Sequence, residues 1–324
     1  MVEIGNLKID GKVMLAPMAG VTSLAYRKFM KRFGVAISVT EMVSDHGLVY
    51  ENARTMDYLV TEKSEKPIGI QLFGSDSETL IKAIHIVESS GYDFDFIDLN
   101  LGCPVPKVTK AGAGSSLLKD PKKLEELVRE VVNSTDKPVT AKIRLGWDDK
   151  TINVFENVKA LENAGVKLIG IHARTRDQEY AGKPNFEIIR NIRQNMRVPL
   201  AISGDIFTLD DAINAVSITG ADLVMVARGG VGKPHLVKQI DTYFRTGEKL
   251  PDVDVYQNIQ YLLEFTKLLI EEKGEYRAMR ILRGIAPKFL SYPGLKPLKA
   301  KIAYNLSSYN ELIAFLKEEG LISK

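Results

Sequence analysis

The stretch KDPKKLEELVREVVNSTDKPVTAKIRLG, residues 119–146, holds one complete structural unit in its spacing. Asp120 followed by Pro121 reads as an N-cap with proline in the first turn, where its missing N–H costs nothing. Leu124, Leu127, Val128 and Val131 then recur at helical intervals. After a polar turn, Val139–Leu145 is almost uninterrupted in its apolar character. A strand buried on both faces reads this way, and such strands belong to parallel sheets covered by helices.

Outward from this unit the pattern repeats. Further apolar runs lie at Val13–Pro17, Ile37–Val43, Ile68–Phe73, Phe96–Leu101, Leu168–Ala173, Pro199–Ser203 and Asp222–Ala227. Amphipathic segments separate them, such as the one carrying Leu80, Ile84 and Val87 and the one carrying Phe155, Val158 and Leu161. Ser75-Asp76 and Thr208 to Asp211 read as helix starts; Gly91, Gly165 and Gly220 read as helix stops. Eight strand–helix units within roughly 250 residues predict an α/β fold, a TIM (β/α)8 barrel. A doubly wound open sheet would more often carry G-x-G-x-x-G after its first strand, whereas Pro17-Met18-Ala19-Gly20 stands there. Past Gly247, Pro251 and the Asp252–Asp254 cluster no strand run follows, and Ile259, Leu262, Leu263 and Leu269 keep helical spacing. We expect a barrel over 1–245 and a small all-α helical domain over 246–324.

Composition excludes several classes. The 324 residues are 45 % hydrophobic and 26 % charged, with a single cysteine and four histidines. No intrachain disulfide is possible, no Cys-rich zinc framework is present, and no metal is expected. The N-terminus lacks a secretory pattern and no apolar run is long enough for a membrane span, so a cytoplasmic setting is expected. A net charge of +3 does not by itself require a polyanionic partner.

In this fold chemistry gathers at strand C-termini. Lys142 and Arg144 alternate on one strand and share a face; buried, they need a partner from the protein or a ligand. Glu41 and Asp98 are the candidates within the chain. Ser203-Gly204-Asp205 and Arg228-Gly229-Gly230 end the last two strands, where TIM barrels commonly bind phosphate. Cys103 sits just past a strand end, before a small, polar loop where Lys107 and Lys110 would favour a thiolate. His172 fits a base, a cofactor donor or a structural role. From Arg277 to Lys301 the chain carries Arg277, Arg280, Arg283, Lys288, Lys296, Lys299 and Lys301 and no acid, with Tyr276, Phe289 and Tyr292 interleaved. This suits an RNA backbone and unstacked bases.

The motifs PMAGVT (17–22), QLFGS (71–75), DLNLGCPVPKV (98–108), VTAKIRLGW (139–147), IHARTR (171–176) and SGDI (203–206) resemble those of the tRNA-dihydrouridine synthase family nearly end to end. The resemblance implies an FMN-dependent reductase, with NADPH (or NADH) as reductant and tRNA as partner. Hydride would pass to carbon 6 of a flipped-out uridine, and Cys103 would protonate carbon 5 as general acid. It further implies that Asn100, Lys142 and Arg144 surround the uracil or flavin ring. Pro17, Met18, Ala19, Gln71, Lys142 and His172 would contact the flavin. Ser203, Gly204, Asp205, Ala227 and Arg228 would lie around its ribityl phosphate, while Arg277 and Arg280 would meet the RNA. The sequence departs from the family pattern at Ser23, Ser203, Ala227 and His235. Two other readings are a free-pyrimidine FMN reductase of dihydroorotate-dehydrogenase type, which leaves the basic helices unexplained, and a non-catalytic RNA-binding barrel, which leaves Cys103 and Lys142 unexplained.

Overall fold

The computed structural model describes residues 1–323. Eight parallel strands form the barrel: β1 (Val13–Leu15), β2 (Val35–Val39), β3 (Ile68–Phe73), β4 (Phe96–Asn100), β5 (Val139–Arg144), β6 (Ile169–His172), β7 (Leu200–Ser203) and β8 (Leu223–Val226). Each pairs with the next, and β8 closes on β1 through Val224↔Val13 to Val226↔Leu15. The predicted runs all become strands, with one divided. The Ile37–Val43 run ends as β2 at Val39, and a two-residue strand, Val43–Ser44, resumes the pairing with β3.

An antiparallel hairpin, Val2–Ile4 with Leu7–Ile9, was not expected from the sequence. Its Val2, Ile4 and Ile9 pack with Met14, Ile37, Phe96, Leu168, Leu223 and Met225 in one cluster that fills the barrel. Gly5 at its turn abuts Pro138, the residue before β5, so the hairpin plugs the N-terminal end of the strands. The opposite end is left for chemistry.

Helices α1 (Leu24–Lys31), α2 (Ser77–Ser89), α3 (Pro121–Asn133), α4 (Val154–Ala164), α5 (Leu209–Thr219) and α6 (His235–Thr246) cover the outside. Asp120 caps α3 by accepting from the Lys122 and Lys123 N–H groups, with Pro121 in the first turn, as its sequence predicts. Phe155, placed on the buried face by its spacing, is instead 47 % exposed. The sixth unit carries no α-helix; two 3-10 turns, Glu187–Ile189 and Ile192–Asn195, do its work. Phe186, Ile189 and Ile192 are buried there, at the three-residue interval that 3-10 geometry stacks on one side.

After residues 247–254, which form neither helix nor strand, come α7 (Val255–Lys273), α8 (Glu275–Phe289), α9 (Lys296–Asn305) and α10 (Tyr309–Glu318). They pack through aromatic rings. Tyr26 and Phe29 of α1 meet Phe265 of α7, with centroids 5.7 and 5.5 Å apart, and Phe265 stacks on Phe289 of α8. These rings belong to the cluster that also holds the barrel's outer core. The buried Asn258 adds a polar stitch, donating to Gly232 O at 2.9 Å and Phe289 O at 2.7 Å. Gly232 is held at φ +76 with the α8 backbone so near that a Cβ would fall 2.3 Å from the Lys288 carbonyl carbon. Among the described residues no helix is long and apolar enough to cross a membrane.

Candidate active site

A slot lies at the C-terminal ends of β1, β5, β6, β7 and β8. It is lined by Pro17, Met18, Lys142, His172, Tyr180 and the turns Ser203–Phe207 and Ala227–Gly229, and encloses about 90 Å³. Most of the residues assigned to a cofactor from the sequence therefore meet in one place. Ala19 is exposed, and neither it nor the buried Gln71 is part of the slot's lining.

The two turns are shaped by backbone contact. At Gly229 a Cβ would sit 1.8 Å from Ile206 O, so only glycine lets the β8 turn lie against the β7 turn. Asp205, at φ +44, accepts from Arg174 Nη1 at 3.1 Å and from Arg228 Nη2 at 2.7 Å. Arg174 beside it holds its carboxyl below the usual range. Two guanidiniums on one carboxylate leave net positive charge at the turns, and the half-exposed Arg228 is the one facing solvent. Tyr180 lies between cations, its ring centroid 5.6 Å from the Arg144 guanidinium and 4.7 Å from that of Arg228. The sequence reading missed Tyr180, Phe207 and Arg174's role. Tyr180 stands in a polar loop without periodicity, so nothing local marked it.

His172 is buried among cations. Burial first, then Lys142, Arg144, Arg174 and Arg228, push its pKa far down, so the imidazole is neutral. Arg174 Nη1 lies 3.4 Å from His172 Nε2. Because guanidinium can only donate, Nε2 accepts and the ring proton sits on Nδ1. Of the three roles open to His172, this favours a hydrogen-bond donor.

Lys142 makes no hydrogen bond among the described residues. Burial, then the neighbouring Arg144, bring its pKa down to about 8, against the opposing pull of Asp98 and Cys103. Arg144, predicted to need an anion, is satisfied otherwise. It pairs with neither Glu41 nor Asp98, but donates to three carbonyls: Gly102 O at 2.8 Å, Thr175 O at 2.9 Å and Glu179 O at 2.8 Å. It ties the loop after β4 to the loop after β6.

Cys103 follows β4. Asn100 Oδ1 accepts from the Cys103 N–H at 2.9 Å and from Gly102 N–H, while Asn100 Nδ2 donates to Gln71 Oε1 at 2.9 Å. Gln71 Nε2 in turn donates to Asp98 at 2.6 Å, and Asp98 also accepts from Thr140. Gln71 is fully buried with both ends of its amide engaged. This chain runs from the barrel interior to the Cys103 backbone, and burial drives the Asp98 pKa upward. The loop beyond Cys103 is not the open polar segment its composition suggests. Val108 and Ala113 pack with Cys103, Met42 and Phe73 into a small apolar cluster, and Ser115 donates to Cys103 O. Lys107 and Lys110 point to solvent. The cations acting on the sulfur are Arg144 and Lys142, and burial outweighs them, pushing the Cys103 pKa up. The group is a thiol, not a thiolate.

The basic segment divides. Arg283 donates to Leu306 O, and Lys301 pairs with Glu318, so these two serve the tail's own packing. Arg277 and Arg280 on α8 are exposed and make no ion pair or hydrogen bond among the described residues, Arg280 lying 5.8 Å from the Tyr276 ring. His46, without metal-type spacing in sequence, comes within 4.8 Å of Asp45 and Asp76; the Thr79 hydroxyl in the first turn of α2 lies 2.7 Å from an oxygen of each carboxylate and can donate its one proton to either.

Comparison with known proteins gives a consistent result. A family model described as dihydrouridine synthase matches residues 14–317. A probable tRNA-dihydrouridine synthase 1 from Synechocystis is 36 % identical over 311 residues, 95 % of this chain and 86 % of that protein. The tRNA-dihydrouridine synthase B of Shewanella oneidensis is 33 % identical over 281 residues, 87 % of each chain. Among solved structures, an old yellow enzyme homologue from Zymomonas mobilis aligns over 78 % of this chain and 93 % of its own, with TM-score 0.51 at 12 % identity. Histamine dehydrogenase from a Rhizobium strain gives 0.54 at 13 % identity, over 80 % of this chain and 50 % of its own. At such identities the structural likeness is one of fold.

Proposed function

The chain belongs to the dihydrouridine synthase family, and from that premise we propose that it is an FMN-dependent tRNA-dihydrouridine synthase. It reduces the 5,6-double bond of uridines in tRNA with NADPH or NADH as electron donor. The observation that carries this reading is the position of Lys142: it lines the slot and pairs in register with Asn100, whose side chain holds the Cys103 N–H.

The residues present fit a flavin phosphate. The glycine-shaped turns at 203–205 and 227–229 bring backbone close to the slot, with the charge of Arg228 left over after Arg174 neutralises Asp205. Ser203, Gly204, Asp205, Ala227 and Arg228 would hold the ribityl phosphate; Pro17, Met18, Lys142 and His172 would hold the ring. The enclosed volume is below the roughly 300 Å³ of ordinary ligand pockets. Tyr180 and Phe207, both exposed, border the slot and would flank a bound flavin. Flavin bound there supplies hydride, the cofactor's own chemistry.

Hydride arriving at carbon 6 leaves enolate-like charge on the uracil, which the Lys142 ammonium, with no hydrogen-bond partner among the described residues, is free to stabilise. The Cys103 thiol, kept protonated by burial, delivers its proton to carbon 5. Asn100 fixes the Cys103 backbone through the hydrogen bonds described above, and Gln71 and Asp98 fix Asn100. Arg144 locks the flanking loops. The target base must leave its stack to reach this depth.

Mapping dihydrouridine across tRNA from cells lacking the protein tests the proposal. Loss of the modification at one or more positions is expected; an unchanged map refutes it.

A further inference from the structure

A second cavity, of about 350 Å³, opens where the loop after β1 meets α7 and α8. Its size lies within the range of small-molecule pockets, roughly 300–1,000 Å³. Gly20 lines it, two residues beyond Met18 of the cofactor slot. The two spaces thus adjoin the same short loop.

Its floor carries two unpartnered polar atoms. Glu41 is only 7 % exposed; its Oε2 accepts the Gly20 N–H at 2.5 Å, and its Oε1 has no partner among the described residues. Ser23, which also lines the cavity, has a buried Oγ without a partner. The other charges are largely cancelled. Arg27 is bound to Glu65, and Lys273 to Glu272, whose other oxygen takes the Ala25 N–H of α1. The walls include Phe265, Leu269 and Ile281, and Tyr58 stands at the entrance. Arg277 lies at the rim with its charge free.

This is a site with a carboxyl floor, apolar walls and a cationic rim. A simple anion would meet the Glu41 and Glu272 carboxylates, with Asp57 exposed at the same cavity. A base with an N–H edge satisfies the floor, its ring suits the walls, and its phosphate suits Arg277. We infer that this cavity binds a second, non-reacting nucleotide of the RNA substrate, its base donating N–H to Glu41 Oε1 and its phosphate resting at Arg277. The inference rests on the proposed tRNA reading and gives that reading a second point of contact.

Glu41→Gln tests it. The amide carbonyl can keep the Gly20 N–H while the NH2 turns toward the cavity, opposing the base's own donor. With transcribed tRNA, KM should rise roughly 10- to 100-fold, the worth of a hydrogen bond to a charged group, with kcat little changed. Flavin content of the same preparation is the fold control. Probing Watson–Crick edges with carbodiimide and dimethyl sulfate should show one protected nucleotide besides the reacting uridine, and Glu41→Gln should expose it. Arg277→Gln, at an exposed position where misfolding is not at issue, should also raise KM for tRNA. Unchanged KM and footprint in Glu41→Gln overturn the inference, as does a rise in KM for NADPH alone, which would put the reductant there. A wild-type protein that reduces no tRNA uridine overturns the parent reading and this one together.

Discussion

Replacing Lys142 by Met should make the protein more stable and nearly inactive. Folding carries Lys142 from an ordinary pKa of 10.5 to about 8, a difference that corresponds to about 3 kcal/mol. The sign follows from proton binding. Between pH 8 and 10.5 the unfolded chain holds this proton more tightly than the native one, so native stability rises with pH through that window. Below pH 8 the full cost of the buried charge is present. Met fills similar space without a charge. At pH 7 the variant should gain up to about 3 kcal/mol, and the gain should shrink steadily toward pH 10. Urea unfolding of the flavin-free form at pH 7 and 9.5 measures this without the stabilisation a bound ligand adds. Activity should fall about 100- to 1,000-fold, the usual loss when one charge-stabilising donor is removed. A variant no more stable than wild type at pH 7, or a gap that does not narrow with pH, would refute the reasoning.

Cys103→Ala should retain flavin colour and lose uridine reduction by about 100- to 10,000-fold; full turnover would remove the acid role. Because burial raises the thiol above its ordinary 9, the proton-donating form persists past that pH. Any decline in wild-type rate near pH 8 should therefore belong to Lys142 and vanish in the Met variant. Gly229→Ala forces a Cβ against Ile206 O and should cost about 1–3 kcal/mol together with flavin retention, read by melting temperature and absorbance. Arg277→Glu with Arg280→Glu should weaken tRNA binding and flatten its salt dependence by roughly one unit of log–log slope per lost phosphate contact; identical salt titrations would return this face to plain solvation.

The barrel is legible in sequence because each of its strands is buried on both faces, which leaves a near-continuous apolar run. The N-terminal hairpin escapes because Val2–Ile4 and Leu7–Ile9 are too short to display any period. The sixth crossover escapes because Phe186, Ile189 and Ile192 fit a 3-10 interval that also mimics part of a helical one. At the site, residue types at strand ends identify the slot, since geometry forces those ends together. Partnership is another matter. Arg144 looks like an anion binder until its three carbonyl partners are seen, and those come from loops 31 to 42 residues away. Likewise Lys107 and Lys110 are near Cys103 only along the chain. Sequence proximity stands in poorly for distance once a loop folds on its own small core.

The aromatic contact between α1 and the α7–α8 pair has a practical consequence. Because Tyr26 and Phe29 share their core with Phe265 and Phe289, and because Glu272 of α7 accepts from the Ala25 N–H in the first turn of α1, the tail is not a detachable accessory. A chain cut after Thr246 would present α1's rings to water as one patch, of the kind that drives aggregation. Heating the intact protein should give one melt, not two. That single melt would mean that the tail and the barrel that holds the thiol unfold as one unit across this seam.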